Sequence, residues 1–379
     1  MHSRSVRGFV ISSLLLFLIS YFGFYFFYQP KRHFDYKRGL YDWSGTTQIE
    51  YVDTLCIQKY YQKFFEVGLD DRLEPIPVDE IWAGIEDRNR QLEIEDEVSG
   101  SYYRDTIVRH PVFLVPCVYI HQAVFLQKTL NTKELAKKVL YLLDWHLLEY
   151  DYPAASRVNE FQIDCDWPAK GQVAYFEFLK ALKNEMWHSI KFAHFQLSAT
   201  LRLYPYKFPD KMGVLPVDRA MLMCYNLQPP DHRGQKRSIF SLKVLHDYLV
   251  GARVYPVPID IALPIFNLAY VYDEHLFQKM LHNVDKDFKG ILHHDNGYWY
   301  TLQKDTLIYD YPKDNFLRKG QRVKLEEVSL KELKKALKLI DQNVVFRDRP
   351  TLSFYSIENL PNASAATLKG LDRLYRIRP

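Results

Sequence analysis

Two periods of hydrophobic and polar positions succeed one another along most of this chain, and their order predicts the fold. Short runs of β character stand at Leu40–Ser44, Ile57–Val67, Val112–Ile120, Val158–Asp166, Phe192–Arg202, Arg219–Asn226, Pro258–Phe266 and Thr351–Tyr355. Helical periodicity fills Asn131–Trp145, Gly171–Trp187, Ser238–Val250 and Ser329–Asp341, and Ala363–Tyr375 closes the chain. Strand and helix in alternation mean a parallel sheet with crossover helices, and eight such strands are the number that closes a barrel. The expected class is therefore α/β, a TIM-like (β/α)8 barrel. Several helix starts carry side chains able to satisfy the first free N–H groups. Ser329 with Glu332 forms a capping box, Asn131 or Thr132 can cap the helix that follows, and Asn362 is read as the cap of the last helix although Asn362-Ala363-Ser364 also matches a glycosylation sequon.

Two stretches break the rhythm and read as insertions, at about 70–109 and 285–328. The first is rich in acids. The second holds period-2 runs bounded by Asn-Gly and Lys-Gly turns, the pattern of β-hairpins. The charged run Lys324–Lys338 is expected to be the solvated face of its helix. A third departure lies at the start. Gly8–Tyr28 is apolar all round and carries no charge, and a helix of about 20 such residues crosses ~30 Å of hydrocarbon. Its far end is Tyr and Phe, with no small-residue cleavage site, so the segment is expected to stay attached as a transmembrane signal anchor. The chain thus divides into an anchor, 1–33, and a single barrel domain, 34–379, long enough for an ample core.

Composition narrows the partners. With 50 Lys and Arg against 46 Asp and Glu the formal net charge is +4, which gives no nucleic-acid footprint. Aromatic residues make up 15% of the chain, including 28 Tyr and 24 Phe; most would fill the core, but such chains also line clefts on which sugars stack. The four cysteines, Cys56, Cys117, Cys165 and Cys224, lie far apart with no metal or redox spacing, so buried free thiols are expected, and no cofactor or metal is called for. His293 and His294 with Asp295 precede an Asn-Gly turn and read as a surface turn.

The chemistry concentrates in Val158–Pro168. On a strand alternate side chains share a face, so Gln162, Asp164 and Asp166 point one way and Ile163, Cys165 and Trp167 the other. In a barrel the apolar set faces the helices, and the two carboxylates converge on the C-terminal mouth, where active sites are built. Two carboxylates so close raise one pKa and leave a general acid beside an ionised partner. The alternative is an Asp pair held by neighbouring loops or by a cation. Arg202 shares a face with Ser198 and Thr200 and would either bind an anionic group of a ligand or neutralise Asp164 and Asp166. Trp43 would stack on a sugar or fill the core. Asp260, near the start of its strand, reads as structural.

These residues carry a resemblance. Asp164 and Asp166 fall on the second and third acids of the Asp-x-x-Asp-x-Asp-x-Glu strand of chitinase-like glycoside hydrolases, with Phe161 at the first position and Pro168 at the position of the proton-donating Glu. Met223-Cys224-Tyr225-Asn226 is similar to that family's Met-x-Tyr-Asp strand, with Asn for Asp. An uncharacterised group of bacterial barrel proteins, with an Ile-Asp-x-Asp strand, a Leu-Ser-x-Thr strand and a Val-Asp-Arg-x-Met-Leu-Met strand in this order, is also similar. The first resemblance implies that the substrate's acetamido group acts as nucleophile and the middle acids orient it, an exception to the paired-carboxylate scheme. It would leave the acid's work to Asp166 or to a carboxylate from another strand such as Glu66, with Tyr225, Asn226, Arg202, Gln162 and Trp43 on the substrate.

The expectation is a membrane-anchored, glycoside-hydrolase-like barrel acting on or binding cell-envelope glycans; the alternative is a non-catalytic glycan-binding or scaffold protein. Work on such glycans places the barrel outside the cytoplasm, in the periplasm, with Arg4 and Arg7 inside. Lys31, Arg32, Lys37 and Arg38, on the far side of the segment, count against that orientation.

Overall fold

The computed structural model of the chain describes residues 35–43, 49–78, 112–149, 158–228, 236–274, 276–310, 313–360 and 363–377. Gly8–Tyr28, residues 79–109 of the first insertion and Asn362 lie outside them. Among the described residues no helix is long and apolar enough to cross a membrane.

The eight runs of β character all become strands and close on one another. They are β1 (Lys37–Asp42), β2 (Lys59–Leu69), β4 (Phe113–Ile120), β5 (Glu160–Asp164), β6 (Gln196–Arg202), β7 (Arg219–Met223), β8 (Ile259–Pro264) and β16 (Thr351–Tyr355). Each pairs in parallel with the next, and β1 joins both β2 and β16, so no edge remains. A short strand, β3 (Pro75–Val78), adds antiparallel to β2 at the start of the first insertion.

Helices cover the outside wherever an apolar stripe recurs every three to four residues. In Leu330–Asn343 the stripe is Leu333, Ala336, Leu337 and Ile340, all buried, and the helix starts with the capping box of Ser329 and Glu332. The Asn131 side chain accepts from the Glu134 N–H at 3.1 Å, so Asn131 caps Thr132–Glu149. The last helix, Ala365–Tyr375, is capped by Ser364, whose hydroxyl accepts from the Thr367 N–H at 3.1 Å. This corrects the expectation for Asn362, since a cap must stand immediately before the first helical residue.

The second insertion begins earlier than the sequence suggests. Its sheet already starts at β9 (Leu268–Asp273) and continues through β10 (Leu276–His282), β11 (Leu292–Asn296), β12 (Trp299–Leu302) and β15 (Arg322–Glu326), in the order β10-β9-β15-β12-β11. The pair β13 (Thr306–Asp310) and β14 (Lys313–Leu317) forms a separate hairpin. The Asn-Gly and Lys-Gly turns fall where expected, with Gly297 at φ 55° and Gly320 at φ 88°, a region open to glycine. The sheet has a core of its own around Val271, Leu281, Leu302 and Val323. β9 escaped the pattern because LAYVYD is a nearly continuous apolar run directly after a barrel strand, with no turn signal between them.

The charged run from Lys324 is also corrected. Lys324 and Glu326 lie on β15 and are both fully buried, 3.0 Å apart. Glu326 accepts from the N–H of Ser238 at 2.6 Å and of Ile239 at 3.1 Å, and Lys324 donates to the Lys236 carbonyl at 2.6 Å. The pair therefore ties the loop that follows β7 to the inserted sheet. Replacing Glu326 alone by Ala would leave two buried N–H groups unanswered and take the carboxylate from beside the buried Lys324 ammonium, so Glu326→Ala should lower stability by about 3–5 kcal/mol. Urea denaturation checks this; a loss below ~1 kcal/mol would show that the tie carries no load.

Candidate functional site

The inward face of the barrel is polar from floor to mouth. At the floor Lys59 meets Glu160 at 2.5 Å, and Arg219 grips Asp260 through Nε at 3.0 Å and Nη2 at 2.8 Å and reaches Asp348 at 2.6 Å. Asp260 also accepts from the Thr351 N–H at 2.7 Å, so it is structural, as its place near the strand start implied. One layer up, the Tyr41 hydroxyl donates to Gln162 Oε1 at 2.5 Å, and Gln162 Nε2 donates to Ser198 at 3.3 Å. Gln162 is therefore sequestered below the mouth, which corrects its reading as a substrate-binding residue. It shares a face with Asp164, but the strand places it a full layer deeper.

The mouth itself is built on β5 and β6. The Thr200 hydroxyl donates to Asp164 Oδ1 at 2.6 Å and accepts from the Cys165 N–H at 3.3 Å. Asp164 is 8% exposed, and among the described residues no donor reaches its other oxygen. Burial pushes its carboxyl up to about 6, the Thr200 hydrogen bond opposes this, the neighbouring Asp166 charge adds to it, Arg202 opposes and Glu66 adds. Asp166 is held differently. Arg202 grips both its oxygens, Nε to Oδ1 and Nη2 to Oδ2, each at 2.5 Å, and its Nη1 donates to the Tyr225 carbonyl at 3.2 Å. Of the two roles open to Arg202, the geometry shows neutralisation of Asp166.

Aromatic rings form an arc around these carboxyls. Tyr225 stacks on Tyr355 with centroids 5.0 Å apart and meets Phe266 edge-on at 6.0 Å. Tyr355 lies 5.8 Å from Trp43, Trp43 lies 6.5 Å from Tyr119, and Tyr119 lies 4.8 Å from His121. Trp43 is thus half-buried within this arc, and the Lys63 ammonium sits 5.7 Å from its ring centre. Burial pushes the Tyr119 hydroxyl up to about 12, with Asp164 and Asp166 adding, and burial lifts Tyr225 and Tyr355 well above the usual tyrosine range. All three present neutral hydroxyls at pH 7. Asn226 follows β7 at φ 50°, exposed, a conformation that Asn tolerates better than most residues.

Glu66 does reach the mouth, through a device that simple alternation hides. A register shift in β2 between Lys63 and Phe65 brings Glu66 onto the face of Lys63. Its carboxylate pairs with Lys63 and with His121 Nε2 at 3.2 Å. Lys63, Tyr119, His121 and Tyr355 were not singled out in the sequence. Tyr119 and His121 could have been found by carrying the inward parity along β4 from Cys117, while Lys63 and Tyr355 carry no motif. His293, His294 and Asp295 stay on the exposed hairpin, where His294 bonds the Gly297 carbonyl at 3.2 Å. Cys56 is an exposed free thiol, contrary to expectation, because it sits in the turn before β2; Cys117, Cys165 and Cys224 are buried and free.

A closed parallel eight-strand barrel with acids at its C-terminal mouth defines the class, a (β/α)8 protein sharing its fold with chitinase-type glycoside hydrolases. The C-terminal domain of a presumed chitinase from Desulfitobacterium hafniense is similar in structure at 11% identity, with a TM-score of 0.50, over 91% of this chain and 99% of that one. A chitinase from Bacteroides thetaiotaomicron is similar at 14% identity and a TM-score of 0.46, over 90% and 95% of the two chains. No protein-family model and no curated protein matches the sequence.

The raised Asp164 pKa has a sign that can be tested. Below about pH 3.8 the carboxyl is protonated folded or unfolded, and between there and about 6 only the folded chain keeps the proton. Its contribution to stability is therefore full below the lower value and lost as pH rises through about 6. Asp164→Asn removes that dependence, so relative to wild type it should be more stable at pH 8 than at pH 4 by ~3 kcal/mol. Urea denaturation of both proteins at the two pH values reads this; equal differences would mean that the carboxyl is not desolvated.

Proposed function

We propose that the mouth holds a glycan of the cell envelope and that the protein is a glycoside-hydrolase-like barrel working on it, outside the cytoplasm, behind the membrane anchor Gly8–Tyr28. The observation that carries the reading is a nearly buried carboxyl, Asp164, bonded by Thr200 at the foot of an aromatic arc, where burial pushes its pKa up and the tyrosine hydroxyls beside it stay neutral. Sugar rings stack on such faces, and hydroxyls of this kind exchange hydrogen bonds with sugar hydroxyls. In this reading Trp43 and Tyr355 supply the stacking surface, Tyr119 and Tyr225 orient the sugar, and Asn226 stands at the rim. Asp164 is the group that can pass a proton to a glycosidic oxygen, since Pro168 has none to give. Asp166 and Glu66, each paired with a cation, act through Asp164, whose proton their charges help to keep in place.

A second reading, binding without cleavage, is favoured by the same two details: Pro168 at the donor position and the closed grip of Arg202 on Asp166. A screen of the protein against envelope polysaccharides, measuring binding and reducing-end release together, separates them. The first reading expects both, with release lost by at least about 100-fold in Asp164→Asn and in Asp166→Asn while binding stays within a few-fold. Binding with no release by wild type at any pH from 4 to 8 would establish the second. No binding to any glycan would overturn both.

A further inference from the structure

The helices Thr132–Glu149 and Gln172–His188 pack on each other and lead into β5 and β6, and each carries apolar residues on the side that the fold does not use. The first buries Leu143 and Leu147, yet Tyr141, Trp145 and Leu148 stand on its outer face at 70%, 40% and 71% exposure, spaced by four and three residues so that they form one stripe. The second buries Leu182 and Met186 and leaves Trp187 at its end 71% exposed, with Ile190 fully exposed just beyond it. Lys191 pairs with Asp144, which lies between Tyr141 and Trp145 on the first helix, so the two apolar groups are neighbours and the charges between them are matched. Single exposed apolar residues need no explanation, whereas five gathered on two packed helices mark a contact surface.

The patch lies at one end of the barrel. Both helices run back from the mouth and end toward the strand starts, where Glu160 of β5 pairs with Gln196 of β6. Lys37 opens β1 at the same end, opposite Thr351, and there Arg349 holds the incoming chain by donating to the carbonyls of Asp35 at 2.7 Å and Tyr36 at 3.3 Å. Eight residues separate Lys37 from the end of the apolar run Gly8–Tyr28, a length of chain that spans at most about 30 Å. We propose that the patch is where the barrel meets a lipid bilayer, with its five apolar side chains entering the headgroup region. The proposal rests on the reading of Gly8–Tyr28 as the membrane anchor. Trp and Tyr favour the boundary between headgroups and acyl chains, and Leu and Ile add apolar area that water would otherwise meet. Lys138 and Lys180, both exposed, each stand two turns before the tryptophan of their helix, at the height of the headgroup phosphates once the tryptophans are seated. A tether this short keeps the patch's end of the barrel beside the bilayer, an advantage that no soluble partner shares. The mouth, at the other ends of the strands, then opens away from the membrane, toward glycans that lie off it.

The full chain, reconstituted into vesicles of phosphatidylcholine and phosphatidylglycerol with brominated acyl chains, tests this, because bromine quenches tryptophan on contact. Gly8–Tyr28 contains no tryptophan, so quenching reports the rest of the chain. Trp145 and Trp187 are two of the six tryptophans, and the expected result is a loss of roughly a third of the emission. Trp145→Phe with Trp187→Phe keeps the apolar surface, removes the reporters and should abolish the quenching. Leu148→Glu with Ile190→Glu, at exposed positions that the fold does not need, keeps the reporters and should reduce the quenching at least about two-fold. Flotation of the vesicles reads the anchor separately. Chain that floats with the vesicles but shows no quenching, or quenching equal in wild type and both double variants, overturns the proposal and leaves the anchor standing; chain that does not float overturns the two together. Unquenched chain that dimerises through this face, with Ile190→Glu restoring the monomer, would assign the patch to a second copy and overturn the proposal as well.

Discussion

Closure at β1 is the constraint on which the rest of the structure depends. This strand is six residues long, yet it must pair with β2 on one side and β16 on the other, and its inward residues alternate between Gly39 and Tyr41. Gly39 leaves room for Thr351 and Ser353, while Tyr41 fills the layer above and reaches across to Gln162 on β5. A larger residue at Gly39 would push β16 outward, and Tyr355 at the end of that strand would lose its place against Trp43 and Tyr225. The mouth is thus shaped from below, by the smallest side chain in the barrel.

The interior that results is unusual in being layered with polar groups. Ion pairs occupy the floor, an amide and hydroxyls the middle, and carboxyls the top. Each layer limits the next. Gln162 bonds within its own layer, to Tyr41 and Ser198, and among the described residues Thr200 is the side chain that bonds Asp164 above it. One hydrogen bond is less than a buried carboxylate needs, which is why desolvation outweighs it and the proton stays on to about pH 6. Asp166, two residues on, has a bidentate guanidinium. Two carboxyls of one strand are driven apart by what faces them from β6.

Much of this was legible in the sequence, for physical reasons that also mark where legibility ended. Barrel strands buried on both faces must be short, rich in apolar residues and spaced by crossovers, so all eight could be placed, and the period of two put Asp164 and Asp166 on one face. Period says nothing of depth, so Gln162 passed for a mouth residue. A bulge breaks the period, so Lys63 and Glu66 share a face that alternation denies them. Burial of charge is invisible too. Lys324 and Glu326 look like the surface of a helix until the loop at Lys236–Ile239 supplies the backbone groups that bind them.

The residue at position 168 shows how local geometry shapes chemistry. Pro168 has an extended backbone, φ −80° and ψ 159°, and leads through the turn Ala169–Gly171 into the helix Gln172–His188. Proline suits this junction because its fixed φ matches and its missing N–H is not wanted. A carboxylate here would add a third acid to a stretch that already carries Asp164 and Asp166, with Arg202 fully engaged by Asp166. Proline avoids that conflict and leaves the position without a titratable group. The proton that this stretch keeps then lies on Asp164, whose carboxyl burial holds protonated up to about pH 6.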